Sequence, residues 1–215
     1  MKNGIKNLIF DFGNVIIDLD IDRTWASLRH FVGDDYAEKL KAVYPLGDVF
    51  VDFEVGKISE QTFLETLRSV SNTPLSMWQV KDAWNAMLLT IKPERFEMLL
   101  RLRKKYRVFL LSNTNETHLS FVDGYLRTIY GFDIEHFSKT YFDKAYYSHL
   151  IGLRKPNDNI YEFVLNDAGL KAEESLFFDD VFENTEGAKR VGLNVYLHRV
   201  GDEIVDILKN FNQMT

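Results

Sequence analysis

Residues 8–20 read LIFDFGNVIIDLD, and the fold turns on how this stretch is read. Three apolar residues, Leu8, Ile9 and Phe10, run into a single carboxylate, Asp11. Gly13 follows, and the chain turns apolar again. A carboxylate at the end of a hydrophobic strand is costly to bury unless it has a partner or a task. Similar apolar runs span 108–111, 175–178 and 194–197, with a weaker fifth at 145–148. None needs apolar–polar alternation, because a parallel strand covered on both faces is apolar throughout.

Helical patterns separate these runs. Pro93 opens PERFEMLLRLRKKY, with Glu94 beside it and Lys104 and Lys105 at the far end, the polarity a helix dipole favours. NDNIYEFVLNDAG places Ile160, Phe163, Val164 and Ala168 on one face and stops at Gly169. Strand and helix in turn predict an α/β fold with a doubly wound parallel sheet. Residues 18–92 break that alternation and read as helices throughout, with Ser59 as an N-cap and Phe63, Leu67 and Val70 as one buried stripe. We therefore expect a core of residues 1–17 and 93–215, interrupted by an all-helical insert over 18–92. All three tryptophans, Trp25, Trp78 and Trp84, fall in the insert and are expected to pack its interior. The aromatic segment 121–147 is assigned no further than helix plus connection.

The 215 residues suffice for one domain carrying an insert, and 46% apolar with 27% charged residues fits a globular core. A net charge of -6 without a basic cluster argues against nucleic acid, whose phosphates demand concentrated Lys and Arg. With no cysteine there is neither a disulfide framework nor a thiolate metal site. The apolar run near the N-terminus is too short for a signal peptide, and no window approaches a membrane span, so a cytoplasmic protein is expected.

In an open α/β sheet the ligand site lies beyond the carboxyl ends of the strands. Those ends carry Asp11, then Ser112–Asn115, then Arg154, Lys155 and Pro156, then Asp179 and Asp180. Three acids on one rim repel unless a cation sits among them. Oxygen donors without His or Cys suit Mg²⁺. Lys155 and the hydroxyl–amide pair Ser112 and Asn113 are what a phosphate group needs beside such an ion. Without a cysteine or a Ser–His pair at the strand ends, the candidate nucleophile is Asp11.

These motifs, in this order, resemble the haloacid dehalogenase superfamily of phosphatases, over residues 7–198. FDFGNV is similar to its first motif, LLSNTN to its second, GLRKP to its third and FFDDVFENTEGA to its fourth. The resemblance implies Asp11 as nucleophile, Ser112, Asn113 and Lys155 as phosphate ligands, and Mg²⁺ held by Asp11, Asp180 and the Gly13 carbonyl. Asp179 would support the site from behind, and the helical insert would be the family's alpha-helical (C1) cap. The D-x-G-N-V opening is closest to a bacterial subgroup that includes an α-D-glucose-1-phosphate phosphatase.

In most members the residue two after the nucleophile is a second Asp, serving as general acid and then base. Gly13 keeps the carbonyl and lacks the carboxyl, which predicts a preference for good leaving groups such as sugar 1-phosphates. Among possible substitutes, His118 is read as an exposed helix residue, and Asp18 and Asp20 as caps or hinge residues. Specificity is expected from the insert and the loop around Phe53, Glu54 and Lys57. The expected activity is thus Mg²⁺-dependent hydrolysis of a small phosphomonoester through an aspartyl phosphate. A haloacid dehalogenase-like hydrolase and a non-catalytic phosphometabolite binder are the alternatives. A phosphosugar mutase and a receiver domain fit less well, the first for want of an acid at Gly13, the second for want of room for the insert.

Overall fold

The computed structural model describes residues 4–45 and 47–213; residues 1–3, Leu46 and residues 214–215, within the segments assigned above to core and insert, lie outside the described residues. Five strands form one sheet: β1 (Asn7–Phe10), β2 (Arg107–Ser112), β3 (Lys144–Tyr147), β4 (Ser175–Asp179) and β5 (Asn194–Leu197). Their order is β3-β2-β1-β4-β5 and every pairing is parallel. The chain leaves β1 toward β2 on one side and later returns to β4 on the other. The carboxyl end of β1 is therefore a switch point, where an open sheet leaves a crevice. Asp11 stands in it.

Alternate strand residues feed two apolar layers, which is why the strands read as unbroken apolar runs. Leu8, Phe10, Leu110 and Phe178 enter one buried cluster, while Ile9, Phe109, Leu111 and Phe177 enter the other. The insert supplies α1 (Ile21–Val32), α2 (Tyr36–Val43), α3 (Val49–Glu54), α4 (Glu60–Ser69) and α5 (Met77–Asn85). The remaining helices are α6 (Pro93–Leu102), α7 (Glu116–Tyr130), α8 (Ile134–Tyr141), α9 (Ser148–Ile151), α10 (Asp158–Ala168), α11 (Phe182–Arg190) and α12 (Ile204–Gln213).

Helices α1–α5 bury a cluster of their own, around Leu28, Phe53, Phe63, Leu67 and Trp84. Ser59 caps α4 as expected, accepting a hydrogen bond from Thr62 N, and Phe63, Leu67 and Val70 are buried. The insert joins the sheet through two adjacent stretches. Leu19 bridges Leu88 in antiparallel register, with Asp18 N donating to Thr90 O, Leu89 N to Asp18 O and Asp20 N to Met87 O. Beside this junction Arg95, almost wholly buried, donates to Ile16 O, pairs with Asp18 at 2.7 Å and forks onto Glu203 at 3.1 Å.

Several local expectations are corrected. Trp78 is 71% exposed, because on α5 it lies on the opposite face from Val80 and Trp84. Phe163 is 38% exposed. Helix α6 ends at Leu102, so Lys104 and Lys105 lie beyond it and Arg101 is the basic residue of its last turn. The loop around Phe53 contains α3, nucleated by Asp48, whose Oδ1 accepts from Phe50 N and Val51 N. Asp20 occupies the N-cap position of α1 without a capping hydrogen bond; its carboxylate pairs with Arg23 instead. The aromatic segment resolves into α7, α8 and β3, with Phe96, Tyr130, Phe132, Phe137 and Tyr141 packed ring against ring.

Candidate active site

Strands β1, β2 and β4 deliver the chemistry of the site at their carboxyl ends. Asp11 follows β1, Ser112 closes β2, and Asp179 closes β4 with Asp180 next to it. Carboxylate oxygens of Asp11, Asp179 and Asp180 all lie within 4.8 Å of one another. Lys155 comes from the loop after α9 and is 1% exposed. Its Nζ donates to Asp11 Oδ1 at 2.6 Å and to Asp179 Oδ2 at 2.7 Å. Three neighbouring features hold that lysine in place. Asn113 Nδ2 donates to Lys155 O, Lys155 N donates to Asn113 Oδ1, and α11 presses on Pro156. A Cβ on Gly187 of α11 would lie 2.4 Å from Pro156 O, so only glycine permits that approach.

The two adjacent acids have different surroundings. Asp179 is fully buried and accepts from Lys155, from Asn184 Nδ2 at 3.0 and 3.1 Å, and from Val181 N. Asp180 is half-buried, accepts from Asn14 Nδ2 at 2.8 Å and faces the cavity. Asn14 reaches it from a left-handed backbone conformation (φ 52°). Burial pushes the Asp11 carboxyl up to about 7 against the opposing pull of Lys155, and Asp179 and Asp180 add to the upward push. Burial likewise raises the Asp180 carboxyl, with Asn14 opposing. One lysine among three carboxylates leaves a net negative, oxygen-lined cluster, which is the donor set a hard divalent cation selects. The residues present fit Mg²⁺, with Asp11 and Asp180 the carboxylates that open onto the cavity.

That cavity measures about 540 Å³, the size of a small-molecule site. Its floor holds Asp11, Gly13, Ser112, Asn113, Lys155 and Asp180. Its roof comes from the insert, with Trp25, Phe50 and Trp84 as aromatic walls and Glu54 lining it beside them. The expected catalytic, phosphate and metal residues all line it except Asp179, which stands directly behind; of the three specificity candidates only Glu54 does, since Phe53 is buried in the cluster of the insert and Lys57 pairs with Asp52. The Asn113 side chain is engaged by the backbone of Lys155, so its amide positions the lysine.

His118 is a correction. It is buried, stacked on Trp84 with ring centroids 4.9 Å apart, Nδ1 against Asn115 Nδ2 and Nε2 against Trp84 O. Burial holds its pKa down to about 4. It is a neutral strut between α7 and α5.

Residues 5–192 match the family model of the haloacid dehalogenase-like hydrolases. The chain belongs to that family. It is 31% identical to D-ribitol-5-phosphate phosphatase of Bacteroides thetaiotaomicron, over 89% of this chain and 91% of that one. A haloacid dehalogenase family enzyme from Bacteroides thetaiotaomicron, crystallised with magnesium and inorganic phosphate, superposes with a TM-score of 0.82 at 32% identity, covering 95% of this chain and 99% of that one. A predicted hydrolase of the family from Porphyromonas gingivalis gives 0.83 at 32% identity, with 98% of each chain covered. The protein is thus a haloacid dehalogenase-like hydrolase with a magnesium-type acidic cluster.

Sequence reasoning left four contributors to the site unassigned. Arg154 stands in the sequence only as part of the GLRKP motif, and Asn14 and Asn184, which orient Asp180 and Asp179, carry no expectation there. Nor does Asp48. The available signal was an asparagine shortly after each acid, Asn14 three residues after Asp11 and Asn184 four after Asp180.

Proposed function

We propose that the protein is a Mg²⁺-dependent phosphatase that transfers the phosphoryl group of a small phosphorylated sugar or sugar alcohol to Asp11 and then to water. The observation that carries this reading is Lys155, buried between Asp11 and Asp179 beneath a roofed cavity. A lysine so placed favours the ionised form of Asp11 against its burial, as attack on phosphorus requires, and offers positive charge to the incoming phosphate. Asp11 Oδ bonds to phosphorus, the alcohol oxygen departs, and water later releases phosphate from the aspartyl phosphate. Ser112 and the backbone around Asn113 hold phosphate oxygens on the β2 side. Asp11, Asp180 and the Gly13 carbonyl would hold Mg²⁺, which when bound neutralises phosphate oxygens and the acidic cluster.

Residues 18–92 act as the cap over a core of residues 1–17 and 93–215. The paired stretches around Leu19 and Leu88 serve as its hinge, and closure excludes water from the reaction. Aromatic walls from Trp25, Phe50 and Trp84 suit the C–H faces of a sugar or polyol chain. Two substrate ends compete. The glycine at position 13 argues for an anomeric 1-phosphate, whereas the curated relative acts on D-ribitol 5-phosphate, a primary alkyl phosphate. Such charged metabolites do not cross membranes unaided, so the cytoplasm is the compartment this reading assigns. Among the described residues no helix is long and apolar enough to cross a membrane. A panel of sugar 1-phosphates and polyol phosphates assayed for phosphate release with and without Mg²⁺ tests the reading. Metal-independent release, or none from any member, would refute it.

A further inference from the structure

A departing alkoxide needs a proton, and the residue beside Asp11 that could aim one has no side chain. Nor is the space vacant: a Cβ on Gly13 would lie 2.7 Å from Leu19 Cδ1. A leucine methyl fills the place where a carboxyl arm would begin. Apart from Asp11, Lys155 and Asp180, four titratable side chains line the cavity: Asp48, Glu54, His118 and Arg154. Three fail as donors on physical grounds. Arg154 does not release a proton in the accessible pH range. His118 is neutral, and its ring nitrogens are committed to Trp84 O and Asn115. Asp48 is occupied as the N-cap of α3.

Glu54 is left. It ends α3 at the seam between the insert and the sheet, and its backbone is pinned there. Ser148 Oγ donates to Glu54 O at 2.6 Å, while Thr114 N donates to the same Ser148 Oγ at 2.9 Å. Glu54 Oε2 is buried, and although Arg154 Nη2 is 3.0 Å away it makes no well-aligned hydrogen bond. Burial raises the carboxyl's pKa; Arg154 and Lys155 oppose this, and Asp48 adds to it. A carboxyl held above its ordinary range keeps its proton to higher pH than a solvated one and can give it up to a developing alkoxide.

We propose that Glu54 is the general acid of the reaction, supplied by the insert in place of the carboxyl that Gly13 lacks. The inference rests on the phosphatase reading above. In the first step Asp11 Oδ bonds to phosphorus and the P–O bond to the alcohol breaks. The electron pair stays on the leaving oxygen, which takes the Glu54 proton and departs as an alcohol. In the second step water bonds to phosphorus, its proton passes to the Glu54 carboxylate, and the P–O bond to Asp11 breaks, restoring both carboxyl groups. Because Glu54 belongs to the roof, proton donation is available only with the insert seated on the sheet. Hydrolysis of the aspartyl phosphate is tied to the same closure.

The test compares the full-length Mg²⁺-loaded protein with Glu54→Gln and Glu54→Asp. Product release in the first turnover is followed for p-nitrophenyl phosphate, whose leaving group needs no proton, and for D-ribitol 5-phosphate, whose alkoxide does. Following the first turnover keeps hydrolysis of the aspartyl phosphate from masking the leaving-group step. Glu54→Gln should slow the polyol phosphate by about 10²–10⁴-fold and leave p-nitrophenolate release unchanged. It should also remove the alkaline limb of the polyol phosphate's pH profile, and Glu54→Asp should recover part of the lost rate. An equal loss on both substrates, or a rise in KM alone, would overturn the assignment and make Glu54 a structural or binding residue. Wild-type turnover of p-nitrophenyl phosphate with Mg²⁺ bears on the phosphatase reading by itself; if the wild type hydrolyses neither ester, both readings fall.

Discussion

Replacing Lys155 by methionine, which keeps its length and volume but not its charge, isolates the electrostatic logic of the site. In the wild type one ammonium compensates Asp11 at 2.6 Å and Asp179 at 2.7 Å, and both lysine and Asp179 are sealed from solvent. The two acids then fare differently. Asp179 retains Asn184 and Val181 N as donors. Asp11 loses its only side-chain donor among the described residues and is left a buried charge beside Asp179 and Asp180. Breaking one partner out of a buried pair costs about 3–5 kcal/mol. For a chain of this size each kcal/mol moves Tm by about 2–4 °C, so the metal-free variant should melt about 6–20 °C lower. The sign of its pH dependence follows. An orphaned buried carboxylate has a folded pKa above its unfolded one, so its penalty is small at low pH and grows as pH rises past about 4. Thermal melts of both proteins should therefore converge on acidification and diverge toward neutrality. Mg²⁺ should raise the variant's Tm more than the wild type's, because the ion meets less opposing positive charge. Equal melting temperatures at neutral pH would refute this account of Lys155, since no other side chain among the described residues donates to Asp11.

Two further substitutions probe the supports around that centre. Asp180→Ala should raise the Mg²⁺ concentration needed for activity steeply at little cost in stability, whereas Asp179→Ala, which strips partners from Lys155, Asn184 and Val181 N, should destabilise the fold by about 3–5 kcal/mol; titrations of activity against Mg²⁺ alongside denaturant melts check both. Glu203→Gln tests the buried Arg95 junction: burial pushes the Glu203 carboxyl up, but hydrogen bonds from Arg95 and Lys92 outweigh it and hold the pKa down to about 2. A depressed carboxylate stabilises fully above its unfolded pKa and loses that contribution as pH falls toward 2, so the variant should cost about 2 kcal/mol near neutrality and almost nothing in strong acid, as read by urea unfolding at several pH values.

Those supports also show where sequence reading reached its limit. β1, β2, β4 and β5 were legible because strands covered on both faces cannot hide their apolar runs. The strand-end acids and Lys155 were legible because the sheet topology alone brings them to one rim. Boundaries and faces were harder. Ser148 reads as a strand residue, yet it opens α9 because its hydroxyl is taken by Thr114 and Glu54. His118 looks like an exposed polar residue on α7 until the insert folds back and lays Trp84 over it. Both depend on contacts between the insert and the sheet, across tens of residues, which leave no periodic trace. Glu54 belongs with them: the sequence marks it as a specificity candidate, and only the seam with Arg154 and Ser148 shows that its Oε2 is buried. Gly13 was legible as an absence, but Leu19, which occupies the space, was not.

The central claim is that Asp11 attacks phosphorus, and its most direct test is phosphate release from p-nitrophenyl phosphate by Asp11→Asn in saturating Mg²⁺. The amide is close to isosteric with the carboxylate and can still accept from Lys155, so the fold should persist while the nucleophile is lost. The account predicts turnover by the wild type, dependent on Mg²⁺, and none by the folded variant; hydrolysis by Asp11→Asn at a substantial fraction of the wild-type rate would contradict it.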